Sequence, residues 1–250
     1  MEPLQLILIL LAGTAGGFLN TLAGGGSIIT LPLLILLGLP APVANGTNRI
    51  ALMWQNLVAI GNFSHKGFFP WKLGIIWGIP ALIGAILGAQ LAINIPEETF
   101  NQILAIIMFV VLALIIWKPR VAPQITAEKI STRHHLLGVF IFFFIGAYGG
   151  FMQIGVGIFI IAILTILTGS SLVQINSLKV IIIAIYMLAS LLVFIINGQI
   201  NWPLGLTLAV GNGCGAWLGS TLAIRRGDQW VKVVLTVAVF LLAGRLLGFY

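Results

Sequence analysis

The sequence predicts an all-α membrane protein made of two inverted repeats of about five transmembrane segments each, with Gly-rich broken or re-entrant elements. Three observations predict it. The chain is 60 % apolar and 7 % charged, with a mean hydropathy of +1.16. A soluble domain carries about 25 % charged residues, so lipid must be the solvent for most of this surface. The chain also repeats itself. Gly16-Gly17-Phe18, then Asn20 and Gly24-Gly25-Gly26, returns as Gly149-Gly150-Phe151, then Gln153 and Gly155-Val156-Gly157. Finally, matched loops of the two halves carry opposite basic bias, which places them on opposite sides of a membrane. A duplicated, membrane-embedded unit of this kind is the pattern of a secondary transporter.

The apolar segments of the first half are 4–22, 28–38, 44–63, 73–93 and 98–117; those of the second are 136–153, 157–168, 173–196, 204–224 and 229–249. A full span needs about 20 apolar residues. The second segment of each half is too short and follows a Gly-rich break, so its backbone should unwind where it faces protein or water. The first segment, Leu4–Leu11 followed by Ala12-Gly-Thr-Ala, resembles a signal peptide. No base precedes it, however, and its counterpart Leu136–Gly149 lies inside the chain. Thr47-x-Arg49 returns as Ser177-x-Lys179 in the third segments. From Gly67 onward the halves align without a gap: Gly67 with Gly198, Trp71 with Trp202, Gly74 with Gly205. In the same register Gly84-x-x-x-Gly88 meets Gly215-x-x-x-Gly219, and Phe109 meets Phe240. Gly84, Gly88, Gly215 and Gly219 read as helix-packing positions.

Charge sets the topology. The linker Lys118–Arg133 holds Lys118, Arg120, Lys129 and Arg133 and belongs in the cytoplasm. Lys66 and Lys72 flank the loop between segments three and four, whereas the matching loop Asn197–Asn201 has no charge. Between segments four and five the bias reverses, with Asn94–Glu98 lacking a base and the copy holding Arg225, Arg226 and Lys232. Arg245, near the outward end, is the exception and would snorkel to the headgroups. The division is then residues 1–117 for the first transmembrane repeat, 118–134 for the cytoplasmic linker and 135–250 for the second repeat. Pro96 with Glu97 and Glu98, and Asp228 with Gln229, suit first helical turns.

The candidate site follows from costly residues at matched depths. Asn45-Gly46-Thr47-Asn48-Arg49 opens one segment and Asn176-Ser177-Leu178-Lys179 its counterpart. A cation inside an apolar segment is a site hypothesis by default. Hydroxyl, amide and cationic donors near a helix N-terminus suit an oxyanion. Asn20, Thr21 and Gln153 lie just ahead of the breaks, and Gly24-Gly25-Gly26-Ser27 exposes backbone N–H groups that can form an anion nest.

Other chemistry is missing from the sequence. Glu2, Glu97, Glu98, Glu128 and Asp228 all fall in termini, loops or helix starts, so no carboxylate proton relay is expected at mid-membrane. His65, His134 and His135 lie in basic loops. No zinc-protease helix, Ser–His–Asp set or Walker loop is present, so no enzyme is expected and no cofactor. The single Cys214 excludes an intramolecular disulfide. The net charge of +7 reflects loop topology, and without a basic tract bearing interleaved aromatics no nucleic-acid partner is expected.

The stretch Asn20-Thr-Leu-Ala-Gly-Gly-Gly-Ser27, with Pro32 and Asn45-Gly-Thr-Asn-Arg49, resembles the TauE/SafE family of sulfite exporters and related permeases, over nearly the whole chain. The second-half motif, Gly149 through Lys179, is looser. The resemblance implies transport of a small sulfur oxyanion, organosulfonate or related organic acid across the cytoplasmic membrane. Leu178 stands where the first half has Asn48, and Lys179 where it has Arg49. A point charge is not a planar fork, so the site should be asymmetric. The expectation is a multi-pass inner-membrane carrier, its partners a small anionic substrate and lipid, with a homo-oligomer left open. The anion would sit between Arg49, Thr47 and Asn48 on one side and Lys179, Ser177 and Asn176 on the other. A cation permease and a non-transporting membrane assembly factor are the alternatives.

Overall fold

A computed structural model of the chain describes residues 3–104, 106 and 132–246. Glu2, Phe109, Glu128, the linker bases Lys118, Arg120 and Lys129, and most of the segment expected over 98–117 lie outside the described residues. So do the side chains of Arg133, His134, Lys232, Phe240 and Arg245.

Among the described residues every regular element is helical. The order is α1 (Pro3–Ala23), α2 (Ser27–Leu36), α3 (Ala41–His65), α4 (Trp71–Asn94), α5 (residues 97–104), α6 (Thr132–Phe151), α7 (Val156–Thr168), α8 (Leu172–Ile196) and α9 (Trp202–Leu246). Gly227, at φ 67°, interrupts α9, where the sequence separates its last two segments. The short elements are confirmed, at 10 residues for α2 and 13 for α7. Helices α1, α4 and α8 are each long and apolar enough to cross a membrane.

The burial pattern is that of a protein solvated by lipid. On α4 the stripe Ile75, Ile79, Ile83, Leu87 and Leu91 is exposed, while Ala81, Gly84, Ala85, Gly88, Ala89 and Ala92 are buried. Large apolar side chains face out and small ones face in, because close backbone approach rather than water exclusion drives helix association in lipid. Trp71 and Trp202, half-exposed at the first residues of α4 and α9, stand where interfacial aromatics belong.

Two helix pairs share one packing scheme. A Cβ at Gly84 or Gly88 of α4 would run into the carbonyls of Phe143 or Ala147 on α6. One at Gly211 or Gly215 of α9 would meet those of Leu10 or Thr14 on α1, and one at Gly219 that of Phe18. In both pairs the numbers rise together, so the helices run parallel. The same holds for α3 with α9, where Gly205 lies near Ile50 and Gly213 near Trp54. It holds too for α4 with α8, where Gly74 meets Ile181 and Gly78 meets Ile185. The central pair differs. Gly46 of α3 packs on Phe194 of α8 and Arg49 reaches back to Ser190, so α3 and α8 are antiparallel. Apolar clusters fill both flanks, one around Trp77, Phe142 and Tyr186, the other around Ile9, Leu31, Phe194 and Leu208.

Candidate functional site

Each first helix ends in a break. α1 stops at Ala23, Gly24 turns the chain at φ +79° and α2 begins at Ser27. α6 stops at Phe151, Gly155 turns it at φ +70° and α7 begins at Val156. Left-handed backbone costs an L side chain, so glycine holds both turns. The breaks touch. A Cβ on Gly24 would strike the Gly157 backbone, and one on Gly157 would strike Gly24. Four helix ends therefore converge, namely the C-termini of α1 and α6 and the N-termini of α2 and α7. The first turns of α2 and α7 bring N–H groups without intrahelical partners and the positive ends of two dipoles.

The C-terminal carbonyls are capped across the molecule. Arg49 is fully buried and donates from its Nη atoms to the carbonyls of Gly149 at 3.1 Å and Gly150 at 2.6 Å, and to Ser190 Oγ at 2.9 Å. Asn45 Nδ2 takes the next carbonyl, of Phe151, at 2.9 Å, and Asn45 Oδ1 accepts from Arg49 at 3.5 Å. The guanidinium lies 4.5 Å above the ring of Phe194. The second half does the same in reverse. Lys179, also fully buried, donates to the carbonyls of Asn20 at 3.0 Å and Thr21 at 2.8 Å, and to Asn176 Oδ1 at 2.7 Å. Asn176 Nδ2 takes the next carbonyl, of Leu22, at 3.2 Å. Three successive carbonyls at the end of α6 are thus held by α3, and three at the end of α1 by α8. Among the described residues no Asp or Glu is buried. Among the described residues the two cations are balanced by the negative ends of α6 and α1, each equivalent to about half a charge.

The other expected residues divide. Asn20, Thr21, Gly24 and Gly26 line the first break. The Thr21 hydroxyl returns to the Gly17 carbonyl at 2.9 Å, and Gly26 packs on Gly16 and Asn20. Gly25 faces only the tips of Ile28 and Ile158. Ser27 is buried and its Oγ has no partner. Gln153 donates to Tyr186 Oη at 2.9 Å and its Oε1 is unpartnered. Asn48 instead ties α3 to α2, accepting from Thr30 Oγ1 at 2.8 Å. Thr47 and Ser177 do not join the cations. Thr47 Oγ1 accepts from the Asn201 N–H at 2.9 Å, and Ser177 Oγ donates to the Phe68 carbonyl at 2.6 Å. Each hydroxyl fastens the loop between the other half's third and fourth helices.

The carbonyl pattern also moves one sequence equivalence. Gly149 and Gly150 correspond in capping and packing to Asn20 and Thr21, one helical turn beyond Gly16 and Gly17. One turn leaves a glycine-rich face almost unchanged, so sequence comparison alone does not separate the two registers.

Several buried polar residues escape a repeat-based reading. Ser190 serves Arg49, and Tyr186 serves Gln153. Asn212 Nδ2 donates to Gln55 Oε1 at 3.2 Å, leaving Asn212 Oδ1 unpartnered, as is Asn56 Oδ1. The register that pairs Gly67 with Gly198 sets Gln55 against Tyr186, Asn56 against Met187, Ala59 against Ser190 and Ala81 against Asn212. Their visible signal was polarity inside an apolar run.

The chain is similar to known membrane transporter proteins. The family model described as sulfite exporter TauE/SafE matches residues 9–246. The chain is 26 % identical to a "Probable membrane transporter protein" of Haemophilus influenzae, covering 96 % of this chain and 94 % of the relative. It is 23 % identical to the "Probable membrane transporter protein YfcA" of Escherichia coli K12, over 99 % and 91 %. It is 26 % identical to the "Probable membrane transporter protein YdhB" of Bacillus subtilis, over 98 % and 100 %. No solved structure matches. A chain of lipid-facing helices, broken where two buried cations are held, and matched from residue 9 to residue 246, belongs to the sulfite exporter TauE/SafE family of membrane transporters.

Proposed function

We propose that this protein carries a small anion, such as sulfite, an organosulfonate or a related organic acid, outward across the cytoplasmic membrane. The observation that carries the reading is the pair of buried cations, Arg49 and Lys179, beside two broken helices, with no buried carboxylate among the described residues. Such a centre has net positive potential, and an anion is the species that neutralises it. The N–H groups of Gly25–Ser27 and Gly155–Gly157 would bind it, joined by Ser27 Oγ and Arg49 Nε, whose unpartnered atoms are buried, and by the Gln153 amide once it is turned over to present its N–H. Because Lys179 spends all three N–H groups on the protein, it contributes field rather than a direct bond.

In this reading residues 1–117 and 135–250 are inverted repeats joined by a cytoplasmic linker over 118–134, in a multi-pass inner-membrane protein. The antiparallel α3 and α8, flanked by the like pairs α1 with α9 and α6 with α4, support a two-fold relation across the membrane plane. A parallel duplication would leave α3 and α8 parallel. Rocking of one repeat on the other would alternate access. A potential negative inside favours anion exit by about 2.3 kcal/mol per charge per 100 mV.

The unpartnered oxygens of Asn56, Gln153 and Asn212 favour a second reading, a cation permease. Each amide turned over presents N–H instead, and the two buried cations oppose it. Flux in proteoliposomes decides: sulfite and sulfonates should move and Na⁺ or K⁺ should not, and the opposite result removes the anion reading.

A further inference from the structure

Transporters with broken helices use the unwound carbonyls at half-helix C-termini to coordinate a coupling cation. Here those carbonyls are already occupied from within the chain. Around Lys179 Nζ stand three oxygens, those of Asn20 and Thr21 at 3.0 and 2.8 Å and Asn176 Oδ1 at 2.7 Å. They form an all-neutral oxygen shell at the negative end of α1, and an ammonium fills it. Lys179 makes no carboxylate pair among the described hydrogen bonds, so the ammonium answers to carbonyl dipoles alone, as a bound alkali ion would. The Arg49 centre is the counterpart of this one, but its planar fork spans two carbonyls and Ser190 and lies over Phe194. No spherical ion reproduces that geometry, whereas a compact ammonium can be exchanged for one.

We propose that Lys179 is a tethered counter-cation: its ammonium occupies the monovalent-cation site that the ends of α1 and Asn176 build, so the carrier moves its anion without Na⁺ coupling. Removing the side chain beyond Cβ then leaves the three oxygens and the space of the alkyl stem. Lys179→Ala becomes a receptor for a small free cation, with methylammonium the nearest replacement. The binding part stands on the geometry alone; only the flux part rests on the anion-carrier reading.

The test is thermal unfolding of the purified full chain in detergent, in methylammonium, Na⁺, K⁺ or choline chloride at matched ionic strength. Lys179→Ala should melt below wild type, and methylammonium should raise its melting temperature saturably by about 3 °C or more. Choline, too large for the shell, should not. Wild type should be indifferent to all four, and Lys179→Met, whose stem fills the space, should gain nothing. If Lys179→Ala yields no folded protein in choline, its folded yield in methylammonium becomes the readout, and recovery supports the proposal. No response of Lys179→Ala to any cation overturns it, as does saturable stabilisation of wild type by Na⁺. In vesicles, sulfite flux by wild type should be equal in Na⁺ and choline, and flux by Lys179→Ala should return with methylammonium. Wild-type vesicles that move no sulfite would remove the substrate reading while the melting result still decides the cation site.

Discussion

Gly24 and Gly157 meet backbone to backbone, and at this contact the broken ends of both halves come together. Gly24 is doubly constrained, since its φ of +79° disfavours any side chain and its Cβ would strike Gly157. Left-handed strain costs about 1–3 kcal/mol and overpacking about as much again. Gly24→Ala should therefore lower unfolding stability by about 2–6 kcal/mol. Gly25→Ala, whose Cβ meets only side-chain tips at 3.6 and 3.7 Å, should stay within about 1 kcal/mol of wild type. Melting curves of the two variants check the contrast; equal effects would mean the breaks are not locked at Gly24.

The packing glycines make a similar pair of expectations. Gly84→Leu and Gly215→Leu must push apart helices whose backbones now touch, and both should lose detergent stability and folded yield. Gly61, within α3, has open space around its Cβ position, so Gly61→Ala should be neutral or gain up to about 1 kcal/mol of helix propensity. Near-normal melting of both leucine variants would contradict the packing scheme.

Arg49 makes four hydrogen bonds from its two Nη atoms and lies over Phe194. Lysine has only three donors and no plane, so Arg49→Lys should lose about 1.5–3 kcal/mol. Arg49→Ala leaves the Gly149 and Gly150 carbonyls bare and should lose about 3–5 kcal/mol. Ser190→Ala removes one neutral acceptor and should lose about 1 kcal/mol. Folded yield is read first, then sulfite flux per folded protein. Wild-type flux through well-folded Arg49→Ala would leave binding to the Gly-rich backbone, Ser27 and Gln153.

Topology is open to direct labelling. In a Cys214→Ser background, cysteines placed at the exposed positions Glu98 and Arg225 should react with an impermeant maleimide from opposite sides of the membrane. The parallel α3 and α9 and the hairpin between α3 and α4 put the two positions at opposite ends of the bundle. Labelling from one side alone would refute the inverted arrangement.

What the sequence disclosed was whatever occurs twice. Gly24 with Gly155, Arg49 with Lys179 and Asn45 with Asn176 all stand at matched places, and all prove to act at the breaks. The pairing of Thr47 with Arg49 did not survive, for a simple geometric reason. Residues two apart on a helix point to nearly opposite faces, whereas those three or four apart share one. Asn45 and Arg49, or Asn176 and Lys179, therefore work together while the intervening hydroxyls turn to the loops. Residues that break the symmetry, such as Ser190 and Asn212, whose counterparts are the apolar Ala59 and Ala81, stayed hidden because no polar counterpart marks them.

The crossed caps make the two halves unequal in time. Lys179 is synthesised after its acceptors, since Asn20 precedes it by 159 residues. Arg49 enters first, and its acceptor Gly149 follows 100 residues later. At about 5–20 residues per second the ribosome needs roughly 5–20 s to close that interval. For that time the nascent first half holds a guanidinium in or beside the bilayer without the Gly149 and Gly150 carbonyls that receive it in the folded chain. Biogenesis of this chain thus requires the early cation to wait at the interface or within the insertion machinery, and the second half completes the first as it arrives.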